Sequence, residues 1–549
     1  MGQLPREAAL RAFRAVAREP VVAVSYRSAG RLLIIGGDDT PAADALARLG
    51  GDLSCLRLIP VPPGTPGGVD HGPVPTVRAA EVSIEGHLGA FRLTVPTAAG
   101  PVGLGDLLTG AGDAVDLVLD LGVPPLLHRE VPPPGYFAPG ADPKALESAL
   151  AQLPGLVGEL EKPRYFRYDP DVCAHARSGI VACRRCIDAC PARAITELGD
   201  GVAVDASLCQ GLGVCATTCP TGAIRYADPR PGETLDGLRA LLRAFREAGG
   251  GAPVLLLHGR ESGGPALEAL GQDLPGHVVP VELEEVGSAG LEVWLSALAY
   301  GAAAVRLLAP PSTPPSARRV LEDQVGLAAV LLGGMGYPED GVALVPDLAA
   351  ARLPGPAATP LAEPAGFAGL DDKRTVLRLA LDHLHGHAPA RRPLISLPAG
   401  APFGEVWLDG TRCTLCMACV GQCPGKALLG GDETPQLRFI EDNCVQCGLC
   451  GRSCPENAIG PSPRYLFDAV RRRAPRVLKE EPPFHCIRCG KPFGTRSMID
   501  RMTARLAGHA LFRGPALERL QMCEDCRVRA LYEAELAAQA TPGDDGRDR

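Results

Sequence analysis

The sequence is short of several things, and each shortage removes a class of explanation. Aromatic residues make up only 4% of its 549 positions, and no Lys/Arg block stands beside stacking aromatics, so a nucleic-acid surface has no footing. The formal net charge of -8 is small for this length. The opening Met-Gly-Gln-Leu-Pro-Arg-Glu-Ala-Ala-Leu-Arg-Ala-Phe-Arg has no continuous apolar run and no twin-arginine pair. It reads as an amphipathic helix, not as an export signal. The longest apolar stretch, Ala289 to Pro310, contains Glu292 and Arg306 and breaks at Gly301, so no membrane span is expected. Apolar residues still reach 46%, enough for about three to five globular domains. Gly 66 and Pro 54 are high but short of a low-complexity composition, and read as loops and linkers.

Cysteine is abundant. Twenty cysteines without an export signal point to a reducing cytoplasm in which thiolates stay available for metal rather than forming disulfides. The densest stretch reads Cys413-Thr-Leu-Cys416-Met-Ala-Cys419-Val-Gly-Gln-Cys423-Pro424, then Cys444-Val-Gln-Cys447-Gly-Leu-Cys450-Gly-Arg-Ser-Cys454-Pro455. Each half is the C-x2-C-x2-C-x3-C-P run that holds iron–sulfur clusters, its fourth cysteine serving the other cluster. The spacing therefore assigns Cys413, Cys416, Cys419 and Cys454 to one [4Fe-4S] cluster and Cys444, Cys447, Cys450 and Cys423 to a second. Over roughly residues 403 to 462 the chain resembles the two-cluster bacterial ferredoxin family, including Ala427-Leu428 and Ala458-Ile459 after the two Cys-Pro turns.

An earlier group is a thinned copy of that pattern. It runs Cys173, then Cys183-Arg-Arg-Cys186-Ile-Asp-Ala-Cys190-Pro191, then Cys209-Gln-Gly-Leu-Gly-Val-Cys215-Ala-Thr-Thr-Cys219-Pro220. Ile180 and Leu212 stand where two cysteines are missing, while Ala194-Ile195 and Ala223-Ile224 repeat the tail, so internal duplication is the simplest account. The later run is similar to the three-iron site of seven-iron ferredoxins. That likeness implies that Cys190, Cys209 and Cys215 hold a [3Fe-4S] cluster, or a [4Fe-4S] cluster with one non-cysteine ligand. Cys183, Cys186 and Cys219 would hold the other cluster with a fourth ligand, for which Cys173 is the nearest candidate and His175 a substitute, since imidazole replaces thiolate in some clusters. Asp188 and Asp205 read as turn caps.

The third group pairs Cys486-Ile-Arg-Cys489-Gly490 with Cys523-Glu-Asp-Cys526. Two C-x2-C pairs joined by a folded insert suit a tetrahedral structural zinc with no open position for hydrolytic chemistry. A helix over Arg464 to Arg473 is expected before it.

The remaining segments predict an α/β and α+β multidomain chain. Residues 1–160 alternate short apolar strands with small-residue helices and read as one α/β domain. Residues 161–230 form the first, degenerate ferredoxin-like module. Residues 231–350 read as a second α/β domain with a parallel sheet, and residues 351–400 as a linker containing a helix near Asp371 to His385. The second module occupies 401–462, a zinc-ribbon-like knuckle 463–536, and a disordered tail 537–549. Gly36-Gly37 before Asp38-Asp39 is a poor phosphate turn, and the 231–350 segment has neither G-x-G-x-x-G nor a P-loop. A flavin- or nucleotide-binding oxidoreductase subunit, or an assembly factor for a molybdenum or formate dehydrogenase-type enzyme, is the alternative. The main expectation is a multi-cluster carrier of single electrons without a substrate site of its own. The chain also resembles, more weakly, ferredoxin-type subunits that accompany formate dehydrogenases and hydrogenases, which implies donor and acceptor redox proteins of those kinds.

Overall fold

The computed structural model describes residues 3–37, 40–65, 67–97, 100–103, 114–270, 274–348, 361 and 363–540. They fall into two compact units, Met1–Pro170 with Arg184–Arg391, and Asp171–Cys183 with Arg392–Arg549. The architecture is mixed α/β and multidomain. Among the described residues no helix is long and apolar enough to cross a membrane.

The first unit contains two largely parallel sheets. In one, Tyr136–Phe137, Leu117–Asp120, Arg31–Ile35, Ser54–Pro60 and Thr76–Ala79 lie side by side and parallel, with Gly68–Asp70 antiparallel at the edge. Alternation along Arg31–Ile35 sends Leu33 and Ile35 into a core with Phe91 and Tyr136, and Leu32 and Ile34 into another with Leu49 and Leu150. Both faces are thus covered, as parallel strands require. Cys55 packs half-buried at the margin of the second core. Asp38 and Asp39, which made the neighbouring turn a poor phosphate site, lie outside the described residues.

The other sheet orders Val278–Leu283, Val254–Gly259, Ala304–Leu308 and Val342–Val345, all parallel. The helices Pro231–Glu247, Arg260–Leu270, Leu291–Ala299 and Pro315–Gly334 alternate with these strands. Leu291–Ala299 is buried on every side, Trp294 completely, which explains its unbroken apolar sequence. The helix expected in the linker runs Lys373–Gly386 and is capped by Asp372, whose carboxylate accepts the Thr375 N–H at 2.7 Å. Residues 351–360 of that linker lie outside the described residues.

A common small architecture recurs around the two cysteine-rich segments. In the first unit Phe166–Tyr168 pairs antiparallel with Ile224–Tyr226, beside the hairpin Ile195–Leu198/Gly201–Val204 and the short helices Arg185–Ala189 and Val214–Thr218. In the second unit Gly404–Leu408 pairs with Ile459–Leu466, beside the hairpin Leu428–Gly430/Gln436–Phe439 and the helices Ala418–Gly421 and Leu449–Arg452. The stretch expected to be helical from Arg464 is partly strand instead, and the helix covers only Ala469–Arg473. Pro461 and Pro463 hold that chain extended, and Asp468 caps the helix by accepting the Arg471 N–H at 3.0 Å. The C-terminal helix Glu524–Ala540 includes the first residues of the expected tail, and 541–549 lie outside the described residues.

Candidate iron–sulfur and metal sites

Each cysteine loop is shaped by backbone that most side chains avoid. In the Cys413 loop Leu415 and Met417 have φ of 53° and 61°, and in the Cys444 loop Gln446 and Gly448 have φ of 55° and 82°. These left-handed residues turn the chain so tightly that successive thiols converge. The Cys209 loop repeats the same pair at Gly211 and Gly213, both 76°. Leu212 therefore occupies the place of Cys416 and Cys447 on an unaltered loop. At Ile180 the loop itself is gone, replaced by a two-residue strand, Ile180–Val181, paired with Ala176–Arg177.

The Cys-Pro turns share a second device. Three residues beyond each fourth cysteine stands a left-handed residue: Arg193, Gly222, Lys426 and Asn457, with φ of 50°, 75°, 51° and 45°. The following alanine is turned back on the sulfur. Ala194, Ala427 and Ala458 donate their N–H groups to the Sγ atoms of Cys190, Cys423 and Cys454 at 3.3, 3.2 and 3.3 Å. At Cys219 the Ala223 N–H goes to Thr221 Oγ1 instead, at 3.1 Å. The repeated alanine of the sequence is thus a sulfur hydrogen-bond donor, fitted where those alanines are almost completely buried.

In the second unit Cys413, Cys416, Cys419 and Cys454 line one cavity of about 20 Å3, walled by Leu408, Leu415, Leu437 and Ile459. Burial, then the neighbouring Cys416, Cys413 and Cys454, push the Cys419 thiol up to about 12. Cys450 is raised first by burial and then by Cys444, Cys447, Cys419 and Cys423; Cys447, up to about 11, is raised by burial and by Cys444, Cys423 and Cys183, while the Leu449 N–H opposes the shift. Each of these thiols thus sits close to the others of its set, Cys419 stands near the second set, and Cys183 near Cys447. Such a group resists ionising until a cation takes the charge, and bound metal deprotonates a thiol outright. Gln446 Nε2 adds a hydrogen bond to Cys444 Sγ at 3.1 Å, and the Lys479 ammonium donates to the Cys413 carbonyl. Neither contact was legible in the sequence.

In the first unit Cys215 is raised well above the usual thiol value by burial and by Cys209, Cys190 and Cys186. Cys219 is buried at the end of the helix Val214–Thr218. Asp205 accepts the Ser207 and Leu208 N–H groups at 2.8 and 3.1 Å, the turn-capping role expected of it. Asp188 pairs with Arg184 at 3.6 Å. Lys162 donates to the carbonyls of Cys209 and Ser207 at 2.6 and 3.0 Å, and burial pushes it down to about 8. Cys173 and Cys183 belong to the second unit and flank a buried His175.

The ligand atoms of Cys486, Cys489, Cys523 and Cys526 all lie within 4.8 Å of one another. Gly490, at φ 72°, closes the first knuckle by donating its N–H to the Cys486 carbonyl at 2.9 Å. Burial works to raise the Cys486 thiol, but N–H groups of Cys523, Cys489 and Arg488 outweigh it and bring it down to about 6. Four sulfurs so placed match the donor set of a closed tetrahedral centre.

Two stretches, residues 157–223 and 412–458, match the 4Fe-4S dicluster domain family. A further likeness is to hydrogenase-4 component A of Escherichia coli (strain K12), 37% identical over 62 residues. That match covers 11% of this chain and 28% of the relative, so the chain spans well under a third of that protein's length.

Proposed function

We propose that this protein, which carries 4Fe-4S dicluster domains at two places, relays single electrons between a donor and an acceptor oxidoreductase in the cytoplasm. In this reading Cys413, Cys416, Cys419 and Cys454 hold one [4Fe-4S] cluster, and Cys444, Cys447, Cys450 and Cys423 another. Cys190, Cys209 and Cys215 hold a third, of [3Fe-4S] type or of [4Fe-4S] type with a ligand other than cysteine. Cys183 holds iron as well. Cys486, Cys489, Cys523 and Cys526 hold a structural zinc in a ribbon-like knuckle.

The observation that carries the reading is the convergence of Cys413, Cys416, Cys419 and Cys454 from both halves of the motif on one cavity, with Cys419 within electrostatic reach of Cys450 and Cys183 of Cys447. Clusters supply one-electron chemistry; the protein's part is to hold the sulfurs, donate N–H groups to them and wall them from water. Ala427 and Ala458 do the second of these, and the Leu415, Leu437 and Ile459 walls the third. The likeness to hydrogenase-4 component A supports a hydrogenase-type partner, with formate dehydrogenase as the related choice.

The test is anaerobic purification with iron, sulfide and zinc analysis, followed by EPR of the oxidised and reduced protein. A relay gives at least three clusters and one zinc per chain, and its clusters are reduced by a hydrogenase under hydrogen or by a formate dehydrogenase with formate. Clusters that are present but exchange electrons with neither partner class would overturn the relay.

A further inference from the structure

We propose that His175 is an iron ligand, binding through Nε2 to the cluster held by Cys183. This rests on the iron–sulfur reading above and adds to it one residue of different chemistry. The starting point is a missing thiolate, since the hairpin Ala176–Arg177/Ile180–Val181 has replaced the loop on which the first cysteine would sit. A donor has to come from elsewhere.

His175 is tied to Cys183 from both ends. Its carbonyl accepts the N–H groups of Ala182 and Cys183 at 2.7 and 3.1 Å, and its ring Nδ1 lies 2.8 Å from the Cys183 carbonyl. A carbonyl oxygen only accepts, so Nδ1 carries a proton, and the tautomer this selects is the one with its lone pair on Nε2. Nε2 is buried with no hydrogen-bond partner, in a residue only 2% exposed. An orphaned ring nitrogen in that position is costly unless something electrophilic meets it. Iron would. A histidine that ligates a metal typically gives its other N–H to a carbonyl or carboxylate, which fixes the tautomer and aims the ring. Imidazole in place of thiolate is established chemistry for iron–sulfur clusters. Cys173, half-buried like Cys183, is the competing donor that the experiment has to exclude.

The substitution has an electronic consequence. A neutral imidazole in place of a thiolate leaves the cluster one negative charge lighter, which raises its potential. With Cys183 near Cys447, the cluster would act as an electron sink beside the one held by Cys447.

The experiment uses the full chain, purified anaerobically with 15N-labelled histidine, reduced and examined by pulsed EPR. A nitrogen coupling of the size given by directly bound imidazole is expected. It should vanish in His175→Cys while iron and sulfide stay at wild-type level, and it should persist, with unchanged iron, in Cys173→Ser. Iron-loaded wild type with no such coupling, the same coupling in His175→Cys, or loss of the cluster in Cys173→Ser alone overturns the assignment. A weak coupling, as from an N–H group donating to a cluster sulfur, also overturns it. A chain purified without iron or sulfide would instead bring down the electron-relay reading, and this assignment with it.

Discussion

Cys413 and Cys454 line the same small cavity from the two ends of their module, one in the loop after Gly404–Leu408 and the other in the turn after Leu449–Arg452. A cluster there would be held by both halves of the motif, and removing one partner should be felt at that cluster first. Cys454→Ser should lower the iron content by up to about four per chain and leave the EPR signal of the cluster at Cys444, Cys447, Cys450 and Cys423. Equal loss of both clusters would show that Cys454 does not discriminate between them. Iron analysis and EPR on the same sample decide it.

Leu212 offers the opposite experiment, a gain of ligand. Gly211 and Gly213 already take the left-handed conformation that flanks Cys416 and Cys447, so Leu212→Cys asks no change of the backbone. The new thiol should complete the set of Cys190, Cys209 and Cys215. A three-iron signal present in the oxidised wild type should disappear, and iron should rise by about one per chain. A signal and iron content identical to the wild type would place Leu212 away from the cluster.

The cysteine positions could be read from the sequence because their spacing is itself the geometry: two residues between thiols allow one tight loop and little else. The strands of the second parallel sheet were equally plain, since Val254–Gly259 and Ala304–Leu308 are buried on both faces and apolar almost throughout. The failures have local causes. The helix expected over Arg464 to Arg473 starts only at Ala469, because Pro461 and Pro463 keep Ile459–Leu466 extended. Gln446 reaching Cys444, Lys479 reaching the Cys413 carbonyl and His175 closing on Cys183 are contacts set by tertiary placement, and no spacing announces them. Ile180 looked like a simple loss of cysteine, whereas the whole loop had become a hairpin.

The four-cysteine group near the C-terminus makes a separate prediction. Cys486, Cys523 and Cys526 are buried almost completely, and among the described residues Phe493 and Met522 pack beside them. Zinc binding, worth about 10–16 kcal/mol in comparable peptides, would be folding free energy here. Cys526→Ser should remove about one zinc per chain and open Arg496–Leu506 and Glu524–Ala540 to proteolysis, with iron unchanged. Loss of iron rather than zinc would reassign the site to a cluster.

A last prediction concerns pH and is independent of any metal. His258 lies in Val254–Gly259, between two neighbouring strands, and is 6% exposed. Burial lowers its pKa from 6.5, against partial opposition from the Gly259 carbonyl at 3.2 Å and from Glu282 on the adjacent strand. In the unfolded chain the ring takes its proton near the ordinary value, and in the folded chain only at lower pH. Between those two points the unfolded state binds more protons, so acid favours it. The stabilising contribution is complete above about pH 6.5 and is lost as pH falls through the depressed folded value. Hydrogen exchange of the Val254–Gly259 amides should therefore give a smaller opening free energy at about pH 5.5 than at about pH 7.5. In His258→Gln, which keeps a polar side chain but cannot titrate, that difference should shrink. An undiminished pH dependence in the variant would assign it to another group, and not to Glu285, whose pKa burial raises, so that its contribution runs with the opposite sign.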